Sequence, residues 1–430
     1  MWQRIKNLYH LIMAIAANIR YGFPSRNLTA IGVTGTDGKT TTVSLIYHIL
    51  RTSGKDVSMI SSVGASINGK NYPLPFHVTT PSPFALQKFI KMACLPFPSG
   101  PLRRTGASRR AAGRANGKNK GKKKYLVLEV TSHSLDQFRV FGISFDIGVI
   151  TNVTWEHLDY HKTYENYVLA KLKLLRNSTN AVVNKDDQSY PLVKSELKKT
   201  ASGFRRTVTY GMSKASDVNP ENFQMESQIA GQFNRYNILA SVTVSKLLGI
   251  KDSLIKRAVE SFEPPLGRQD LVYNKGFRVM IDFAHTPNSF KQVLSYLRGQ
   301  IRGRIIHVFG CAGERDKLKR PKMGKISSRL SDIVIVTAED PRSENIENIM
   351  NDITSGIQNS EYRIQNKTLI KIPDRQEAIN TAIAMTKKGD LVIITGKAHE
   401  KSMNYGRGEE PWDEYKAVKK AIEARLDEKN

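Results

Sequence analysis

The residues best suited to chemistry lie in one glycine-rich stretch, Ala30 to Thr42, which reads A-I-G-V-T-G-T-D-G-K-T-T-T. The apolar run from Leu28 to Val33 predicts a buried strand, and a helix is expected from about Thr40. Such a turn offers backbone N–H groups and a positive helix end to phosphate oxygens. Lys39 is placed to reach the outer phosphates, and the next threonine hydroxyl can bind Mg²⁺. The stretch therefore favours a nucleotide-phosphate site over an ordinary turn between strand and helix.

Other candidate side chains follow the ends of predicted strands. Glu129 closes a strand over 125–130, where a carboxylate beside a phosphate loop can bind Mg²⁺. A strand over 145–151 leads into a cluster that contains His157. A solitary histidine is usually structural, but a polar cluster at the carboxyl end of a strand favours a site. Lys171 lies on the helix predicted next, either as a site residue or as one more surface lysine of a basic helix.

Polar loops also follow four strands later in the chain, predicted over 277–282, 304–310, 333–337 and 391–395. Parallel strands end at a common edge of their sheet, and ligands of open α/β sheets bind at that edge. We therefore expect the charged loops after these strands to form a binding edge.

The elements that must position these residues alternate between short apolar strands and helices, which predicts an α/β protein. We expect a central ATP-binding domain over 28–263, built on a phosphate-loop parallel sheet, and a C-terminal Rossmann-like α/β domain over 264–430. Pro264–Arg268 is interpreted as the linker between them. Residues 94–124 predict a basic low-complexity insertion in the central domain, interpreted as a surface loop rather than a tether to anionic surfaces.

Residues 1–27 predict an amphipathic N-terminal helix that precedes the central domain. Its apolar run, Leu8 to Ile19, is too short to cross a bilayer. We expect the helix to pack on the body of the protein, with peripheral membrane contact through residues 1–20 as the alternative.

The composition narrows the function classes. A hydrophobic content of 40% over 430 residues fits a globular protein, and the net charge of +27 suggests a nucleic-acid binder. Ser99–Lys124 carries ten of the basic residues and no acid, however, which leaves +17 elsewhere, and no aromatic-interleaved RNA-binding pattern is present. We therefore expect no specific nucleic-acid partner. Cys94 and Cys311 form neither a disulfide framework nor a zinc spacing, which favours a reducing, cytoplasmic location.

The motifs together resemble the Mur ligases, most closely the UDP-N-acetylmuramoyl-tripeptide synthetases, from about Leu28 to Lys401. Each motif is weak alone, but their order is specific. They are G-V-T-G-T-D-G-K-T-T, T-T-P at 79–81, E-V-T-S-H-S-L-D-Q, T-N…E-H-L-D-Y-H, A-K at 170–171, F-N-x-Y-N, D-F-A-H-T-P, G-C-A-G-E-R-D…K-R-P, D-P-R at 340–342 and G-K-A-H-E. The shortened phosphate loop, G-T-x-G-K-T-T, is also more typical of ATP-dependent amide ligases than of GTPases.

The resemblance implies an ATP-dependent ligase. ATP phosphorylates a carboxylate, and an amine then attacks the acyl phosphate. The expected substrates are small molecules: a UDP-MurNAc-peptide or related cell-wall precursor, and a diamino acid such as lysine or meso-diaminopimelate. The expected cofactors are ATP and two Mg²⁺ ions, and the expected enzyme is a monomer.

The resemblance also implies a role for individual residues. Those expected to bind ATP are Gly35, Thr36, Asp37, Gly38, Lys39, Thr40, Thr41, Asn234, Asn237, Arg268 and Asp282. The metal ligands would be Thr40, Glu129, His157 and a carbamylated Lys171. The substrate-binding residues would be Thr79, Thr80, Thr131, Gln137, Arg139, Arg315, Asp340, Arg342, Gly396 and Glu400. Lys39, Lys171 and His157 would be catalytic.

The sequence departs from the family pattern at several positions. Glu156 replaces the first aspartate of D-H-L-D, and Ala398 replaces a glycine of G-K-G-H-E. Asp340 replaces the asparagine of D-N-P-R that helps to select meso-diaminopimelate, which leaves lysine or another diamino acid open. Only residues 1–27 precede the first predicted strand, whereas the family has a uridine-binding domain there. We therefore expect the uridine diphosphate part of the substrate to contribute little.

Three alternatives remain at this point. The same chemistry could act on another carboxylate, as in folylpolyglutamate or cyanophycin synthetases, although the D-P-R and G-K-A-H-E loops argue against the folate branch. A non-catalytic nucleotide-binding module is disfavoured because Lys39, Glu129 and Lys171 are all present. A nucleic-acid-binding phosphate-loop protein is suggested by charge alone, and steep salt-dependent binding would reveal it.

Overall fold

The computed structural model describes residues 2–75, 79–96, 123–199, 206–358 and 368–427. Most of the basic insertion predicted over 94–124 lies outside these residues. The first part of the chain contains α1 (Trp2–Tyr21), β1 (Thr29–Thr34), α2 (Lys39–Thr52), β2 (Asp56–Ser61), β3 (Gly64–Ile67), β4 (Lys70–Tyr72), α3 (Pro83–Cys94), β5 (Lys124–Glu129), α4 (Ser132–Asp136), β6 (Phe145–Ile150), α5 (Leu158–His161), α6 (Tyr164–Arg176), β7 (Ser178–Asn184), α7 (Tyr190–Lys199), β8 (Arg206–Tyr210), α8 (Gln232–Leu247) and α9 (Asp252–Glu260).

The second part contains β9 (Asp270–Lys275), β10 (Phe277–Asp282), α10 (Pro287–Gln300), β11 (Ile305–Phe309), α11 (Lys319–Leu330), β12 (Ile333–Val336), α12 (Ile346–Gln358), β13 (Thr368–Lys371), α13 (Arg375–Ala384), β14 (Leu391–Thr395), β15 (Ser402–Asn404), β16 (Glu409–Pro411) and α14 (Glu414–Asp427). Within the described residues, no helix is long and apolar enough to cross a membrane.

The first sheet has the strand order β4-β3-β2-β5-β1-β6-β7-β8. The strands β2, β5, β1, β6, β7 and β8 run parallel, while β3 and β4 add an antiparallel edge. β1 lies inside the sheet and is buried along its whole length because helices cover both faces. Ile31 and Val33 pack with α2, α8 and α9, whereas Ala30 faces the layer that contains α3. Because β5 and β6 run parallel to β1, the turn after β1 leaves the sheet at the same edge as the residues that follow β5 and β6.

The second sheet has the order β13-β12-β11-β14-β10-β9. The strands β13, β12, β11, β14 and β10 are parallel, and β9 pairs antiparallel with β10. The loops after β10, β11, β12 and β14 therefore leave the sheet at the same edge, as the sequence predicted. The α/β class is thus confirmed, with two sheets that each bring their loops to one edge. The antiparallel strands β3, β4 and β9 were not predicted, because they are short or partly exposed at sheet edges and carry only a weak pattern.

Candidate active site

A cavity of about 1240 Å³ receives the loops of both sheets. The walls include nearly every residue that the sequence marked for a site. Those residues are Thr36, Asp37, Gly38, Lys39, Thr40, Thr41, Thr79, Thr80, Glu129, Thr131, Gln137, Arg139, His157, Asn234, Asn237, Arg268, Asp282, Arg315, Asp340, Arg342, Gly396 and Glu400. Two of the predicted residues, Gly35 and Lys171, do not line the cavity but contact each other next to it.

The glycine-rich turn connects β1 with α2 and forms one wall of the cavity. Gly38 has a φ of 81°, a left-handed conformation that side chains disfavour. A Cβ atom there would lie 2.2 Å from Oδ1 of Asn237, so glycine is also needed for close packing against α8. α2 begins at Lys39, whose Nζ donates to the carbonyl of Thr36 at 2.6 Å. The turn thus combines a helix N-terminus with a lysine, the arrangement that binds phosphate groups.

A group of oxygen atoms suited to Mg²⁺ lies beside this turn. The hydroxyl of Thr40 donates to Glu129 at 3.3 Å and lies 2.9 Å from the hydroxyl of Ser62. The backbone N–H of Ser62 donates to the other carboxylate oxygen of Glu129 at 3.0 Å. A guanidinium nitrogen of Arg268 donates to the Thr40 hydroxyl at 3.1 Å. A carboxylate and hydroxyls are hard ligands of the type that Mg²⁺ prefers, so these residues fit the ion.

Lys171 is a buried lysine of α6 whose Nζ donates to the carbonyl of Gly35 at 2.7 Å. Burial, followed by the positive charge of Lys39, lowers the pKa of Lys171 well below its ordinary value. The interpretation of Lys171 as a surface lysine is therefore wrong. Among the described residues no group of three or more His, Cys, Asp or Glu side chains could hold a metal ion. A second metal at His157 would therefore need another kind of ligand.

Glu156, the residue that departs from the family pattern, lies buried between the two parts of the chain. Its carboxylate is 3.8 Å from a ring nitrogen of His157, 3.8 Å from His285 and 3.5 Å from Nζ of Lys319. Burial alone would raise its pKa, but the neighbouring His157 and Lys319 lower the pKa to about 2. His285 and Lys319 come from the second part, so Glu156 helps to join the two.

Asp37 makes a second contact between the two parts. Its carboxylate accepts hydrogen bonds from Nδ2 of Asn288 at 2.8 Å and from the hydroxyl of Thr286 at 3.3 Å. Thr286 also caps α10, since its side chain accepts from the backbone N–H of Ser289. The phosphate-loop carboxylate therefore sits at the N-terminus of a helix from the other part, where the helix dipole favours a negative charge.

The two asparagines of the F-N-x-Y-N motif are adjacent on α8. Nδ2 of Asn237 donates to Oδ1 of Asn234 at 3.1 Å, and Nδ2 of Asn234 lies 3.3 Å from Oε1 of Gln269. Gln269 is held in turn by Asp282, which accepts from its backbone N–H at 2.7 Å. These side chains line the cavity between the phosphate loop and the start of the second part.

Two arginines form a positive region in the loops of the second sheet. Arg315 follows β11 and Arg342 follows β12, and burial together with Arg342 lowers the pKa of Arg315. Both carboxylate oxygens of Asp340 accept from Nζ of Lys397, at 2.9 and 2.8 Å. Lys397 also pairs with Glu400 at 2.7 Å. Both arginines line the cavity, and a guanidinium nitrogen of Arg342 donates to the carbonyl of Gly313 at 3.0 Å.

The wall on the side of the first sheet carries the remaining predicted substrate residues. The hydroxyl of Thr80 donates to the carbonyl of Glu129 at 3.1 Å, and Arg139 donates to the carbonyl of Thr80 at 3.3 Å. Thr131 caps α4 and donates its backbone N–H to Thr80 at 3.3 Å. These bonds hold the polar groups around Thr79 and Gln137 at the cavity surface.

Sequence reasoning missed several residues that the structure brings to this site. Ser62 joins Thr40 and Glu129 but lies in a short segment without any recognisable pattern. His285 and Lys319 stand inside motifs that were recognised, yet their pairing with Glu156 depends on how the two parts meet. Glu339 was also missed. It lines the cavity, and burial raises its pKa to about 8.

Two family models match this chain. One, described as the Mur ligase middle domain, matches residues 33–95 and 114–245, and the other, described as the Mur ligase glutamate ligase domain, matches residues 267–398. A relative from Clostridium botulinum, named UDP-N-acetylmuramoyl-L-alanyl-D-glutamate–2,6-diaminopimelate ligase, is 36% identical over 409 residues, which cover 90% of this chain and 76% of the relative.

Solved structures agree with these matches. A structure of a ligase with the same name is 27% identical, with a TM-score of 0.56, over 93% of this chain and 79% of the other. The MurF ligase from Thermotoga maritima in complex with ADP is 18% identical with a TM-score of 0.63, over 96% and 84% respectively, and shows the shared fold.

The fold and the cavity define a phosphate-loop enzyme in which loops of a second α/β unit complete the site. The chain belongs to the Mur ligase family, which consists of ATP-dependent ligases that join a carboxylic acid to an amino acid.

Proposed function

We propose that this enzyme adds 2,6-diaminopimelate to the peptide carboxylate of UDP-N-acetylmuramoyl-L-alanyl-D-glutamate. The observation that carries the proposal is the pair Arg315 and Arg342 in the cavity that also contains the phosphate loop. Each guanidinium can form two parallel hydrogen bonds with a carboxylate. Diaminopimelate has two carboxylates and lysine has one, so two arginines suit the former. The name of the Clostridium botulinum relative supports the same substrate.

The reaction proceeds in two steps. A carboxylate oxygen of the acceptor attacks the γ-phosphorus of ATP, and ADP leaves, which produces an acyl phosphate. The amine nitrogen of the amino acid then attacks the acyl carbon, inorganic phosphate leaves, and the amine loses a proton. Lys39, the N–H groups of the turn and Arg268 surround the phosphate region and stabilise the charge of the transferring group.

The remaining residues are assigned to a ligand according to the part of the cavity wall on which they lie. Asn234 and Asn237 hold the adenine side, while Asp282 positions the chain next to the nucleotide through Gln269. Thr79, Thr80, Thr131, Gln137 and Arg139 hold the muramoyl peptide. Gly396 lacks a side chain that would collide with Glu339, and Glu400 suits a distal ammonium group. We propose that these residues are divided between two domains, a central domain over 28–263 and a C-terminal domain over 264–430.

We propose that Thr40 and Glu129 bind one Mg²⁺ and that His157 and a carbamylated Lys171 bind a second. Bound Mg²⁺ would neutralise charge on the phosphates. The lowered pKa of Lys171 supports the modification, because only an uncharged amine adds carbon dioxide. The nitrogen forms a bond to the carbon of carbon dioxide and releases one proton, which leaves an anionic carbamate. Its oxygens would supply the hard ligands that the ammonium form cannot.

Phosphate release across a panel of amino acids tests the proposed function. The panel contains diaminopimelate, lysine, ornithine and alanine, each with ATP and UDP-N-acetylmuramoyl-L-alanyl-D-glutamate. We expect release with diaminopimelate and a loss of roughly a hundredfold or more for Arg342→Ala, since the cost of a lost charged pair is about 3 kcal/mol. Arg302→Ala is the matched control, because Arg302 is exposed and outside the cavity wall. Faster release with lysine would assign the enzyme to lysine instead, and release that needs no amino acid would overturn the ligase assignment.

A further inference from the structure

The N-terminal helix α1 packs on the protein with its small and polar residues. Ala14, Ala17 and Asn18 are buried, and Asn18 donates to the carbonyl of Phe141 at 2.8 Å. Nearer the N-terminus, Asn7 donates to Asp136 at 3.1 Å. A helix that served only to complete the core would place its large apolar residues on this side. α1 does the opposite.

Six large apolar residues of α1 lie on the outer face, whereas Leu11 and Met13 are half-buried. The six are Ile5, Leu8, Tyr9, Ile12, Ile15 and Ile19, and their side chains are between 40% and 67% exposed. Their spacing of three and four residues places them on a single stripe along the whole helix. Isolated exposed apolar side chains are normal in proteins, but a continuous stripe of six indicates a surface that contacts something apolar.

The charges around α1 indicate what this surface contacts. No acidic residue occurs before Asp37, whereas Lys6 and Arg20 are exposed on the helix itself. The neighbouring helix α3, which packs against α1, exposes Lys88 and Lys91 and has no acidic residue. Residues 1–98 contain ten Lys and Arg but only two acidic residues, a net charge of +8. The apolar stripe is therefore part of a positive region of the chain.

We propose that the outer face of α1 binds the surface of a membrane that contains anionic lipids. A bilayer interface supplies both features that this face requires, acyl chains for the isoleucines and leucine and negative headgroups for the basic residues. The helix lies in the plane of the surface, because its inner face is hydrogen-bonded to the protein and no described helix can span the bilayer. The enzyme would then work beside the membrane.

Sedimentation of the full chain with lipid vesicles tests this proposal. One vesicle preparation contains phosphatidylcholine with phosphatidylglycerol, and the other contains phosphatidylcholine alone. We expect binding to the anionic vesicles, weaker binding to the neutral ones, and a decrease as salt is raised. Leu8→Asp and Ile12→Asp should each reduce the vesicle-bound fraction by at least about tenfold, because each places a charge at the interface.

The matched control is Leu426→Asp, which changes an equally apolar exposed side chain on α14 and should bind vesicles like the unaltered protein. Phosphate release without vesicles verifies that each variant is folded. If an aspartate variant does not fold, the double variant Leu8→Ser, Arg20→Gln is tested in its place. Equal binding by Leu8→Asp and the unaltered protein would overturn the proposal, as would an absence of binding to anionic vesicles. The proposal would also be overturned if the unaltered protein were a dimer that Ile12→Asp converts to a monomer, because a second copy of the chain would then cover the outer face of α1.

Discussion

Lys39 is the side chain on which we expect ATP turnover to depend most directly. It begins α2 and lines the cavity, where its ammonium can reach the outer phosphates. We expect Lys39→Ala to lower ATP turnover by roughly a hundredfold or more, because a preorganised charge at the transferring group is lost. Lys55→Ala is the control, since Lys55 is an exposed lysine just beyond the same helix. A Lys39→Ala variant that retained most of its turnover would exclude the turn as the ATP site.

Lys171 offers a second prediction at the residue scale. We expect Lys171→Ala to lose activity and short-chain carboxylates in the buffer to restore part of it, because they can occupy the position of the carbamate. Activity would be followed as phosphate release. Lys173→Ala should remain active, since the Lys173 ammonium pairs with Asp136 outside the cavity wall. If Lys171→Ala works as well as the unaltered enzyme, the second metal site must be sought among other residues.

The buried carboxyl of Glu339 predicts that the free energy of unfolding depends on pH. Burial raises the pKa of this carboxyl from 4.5 to about 8 in the folded state, and one of its oxygens has no hydrogen-bond partner within the described structure. Between pH 4.5 and about pH 8, the unfolded chain loses a proton from this carboxyl that the folded chain keeps, so rising pH favours unfolding.

Glu339→Gln should therefore be more stable than the unaltered protein near neutral pH, by about 1 to 3 kcal/mol. The difference should disappear as the pH falls below about 4.5, where the carboxyl is protonated in both states. Denaturant unfolding at several pH values measures it. A constant difference across this range would show that the effect does not come from the proton.

At the scale of secondary-structure elements, the start of α10 connects helix stability with the phosphate loop. Thr286 and Ser289 form a reciprocal capping box, and the Thr286 hydroxyl also donates to Asp37. We expect Thr286→Ala to lower the free energy of unfolding by about 1 kcal/mol, the usual cost of a lost helix cap. Urea unfolding measures the change. Thr286→Ser retains the hydroxyl and should be close to the unaltered protein, so an equal loss for both variants would exclude the cap as the cause.

At the scale of the whole molecule, we expect the part after Gly267 to move as a rigid body against the first part. Arg268 contacts Thr40, and Asn288 contacts Asp37, so side chains from both parts meet at the phosphate loop. Pro264–Gly267 is the connection that would act as the hinge. Small-angle scattering should show a smaller radius of gyration when a non-hydrolysable ATP analogue and the acceptor are bound.

Asn288→Ala provides the comparison for this movement, because it removes the shorter of the two hydrogen bonds to Asp37. We expect this variant to compact less at the same ligand concentrations. Identical scattering profiles with and without saturating ligand would contradict the predicted closure.

The sequence by itself determined the class of fold, the phosphate loop and the order of the motifs. The strand predicted over 277–282 occurs as β10 at the same residues, and the one predicted at 28–33 occurs one residue later as β1. These features are local, because apolar periodicity and turn-forming residues lie next to each other in the chain. For the same reason, nearly every residue that the motifs marked lies in the wall of the cavity, although the wall also contains residues that no motif marked.

Only the tertiary structure decided which of these residues meet. Asp37 and Asn288 are far apart in sequence, and their hydrogen bond depends on how the two sheets face each other. Ser62 joins Thr40 to Glu129, and Lys171 is buried against Gly35, for the same reason. The amphipathic pattern of residues 1–27 predicted a helix that packs on the body of the protein, and an apolar stripe is ordinarily the face turned inward. In the structure the small residues Ala14 and Ala17 are buried and the apolar stripe lies outside, while Asn7 and Asn18 donate hydrogen bonds to the part of the protein that α1 covers. The pattern alone could not specify this orientation, because it depends on contacts with residues distant in sequence.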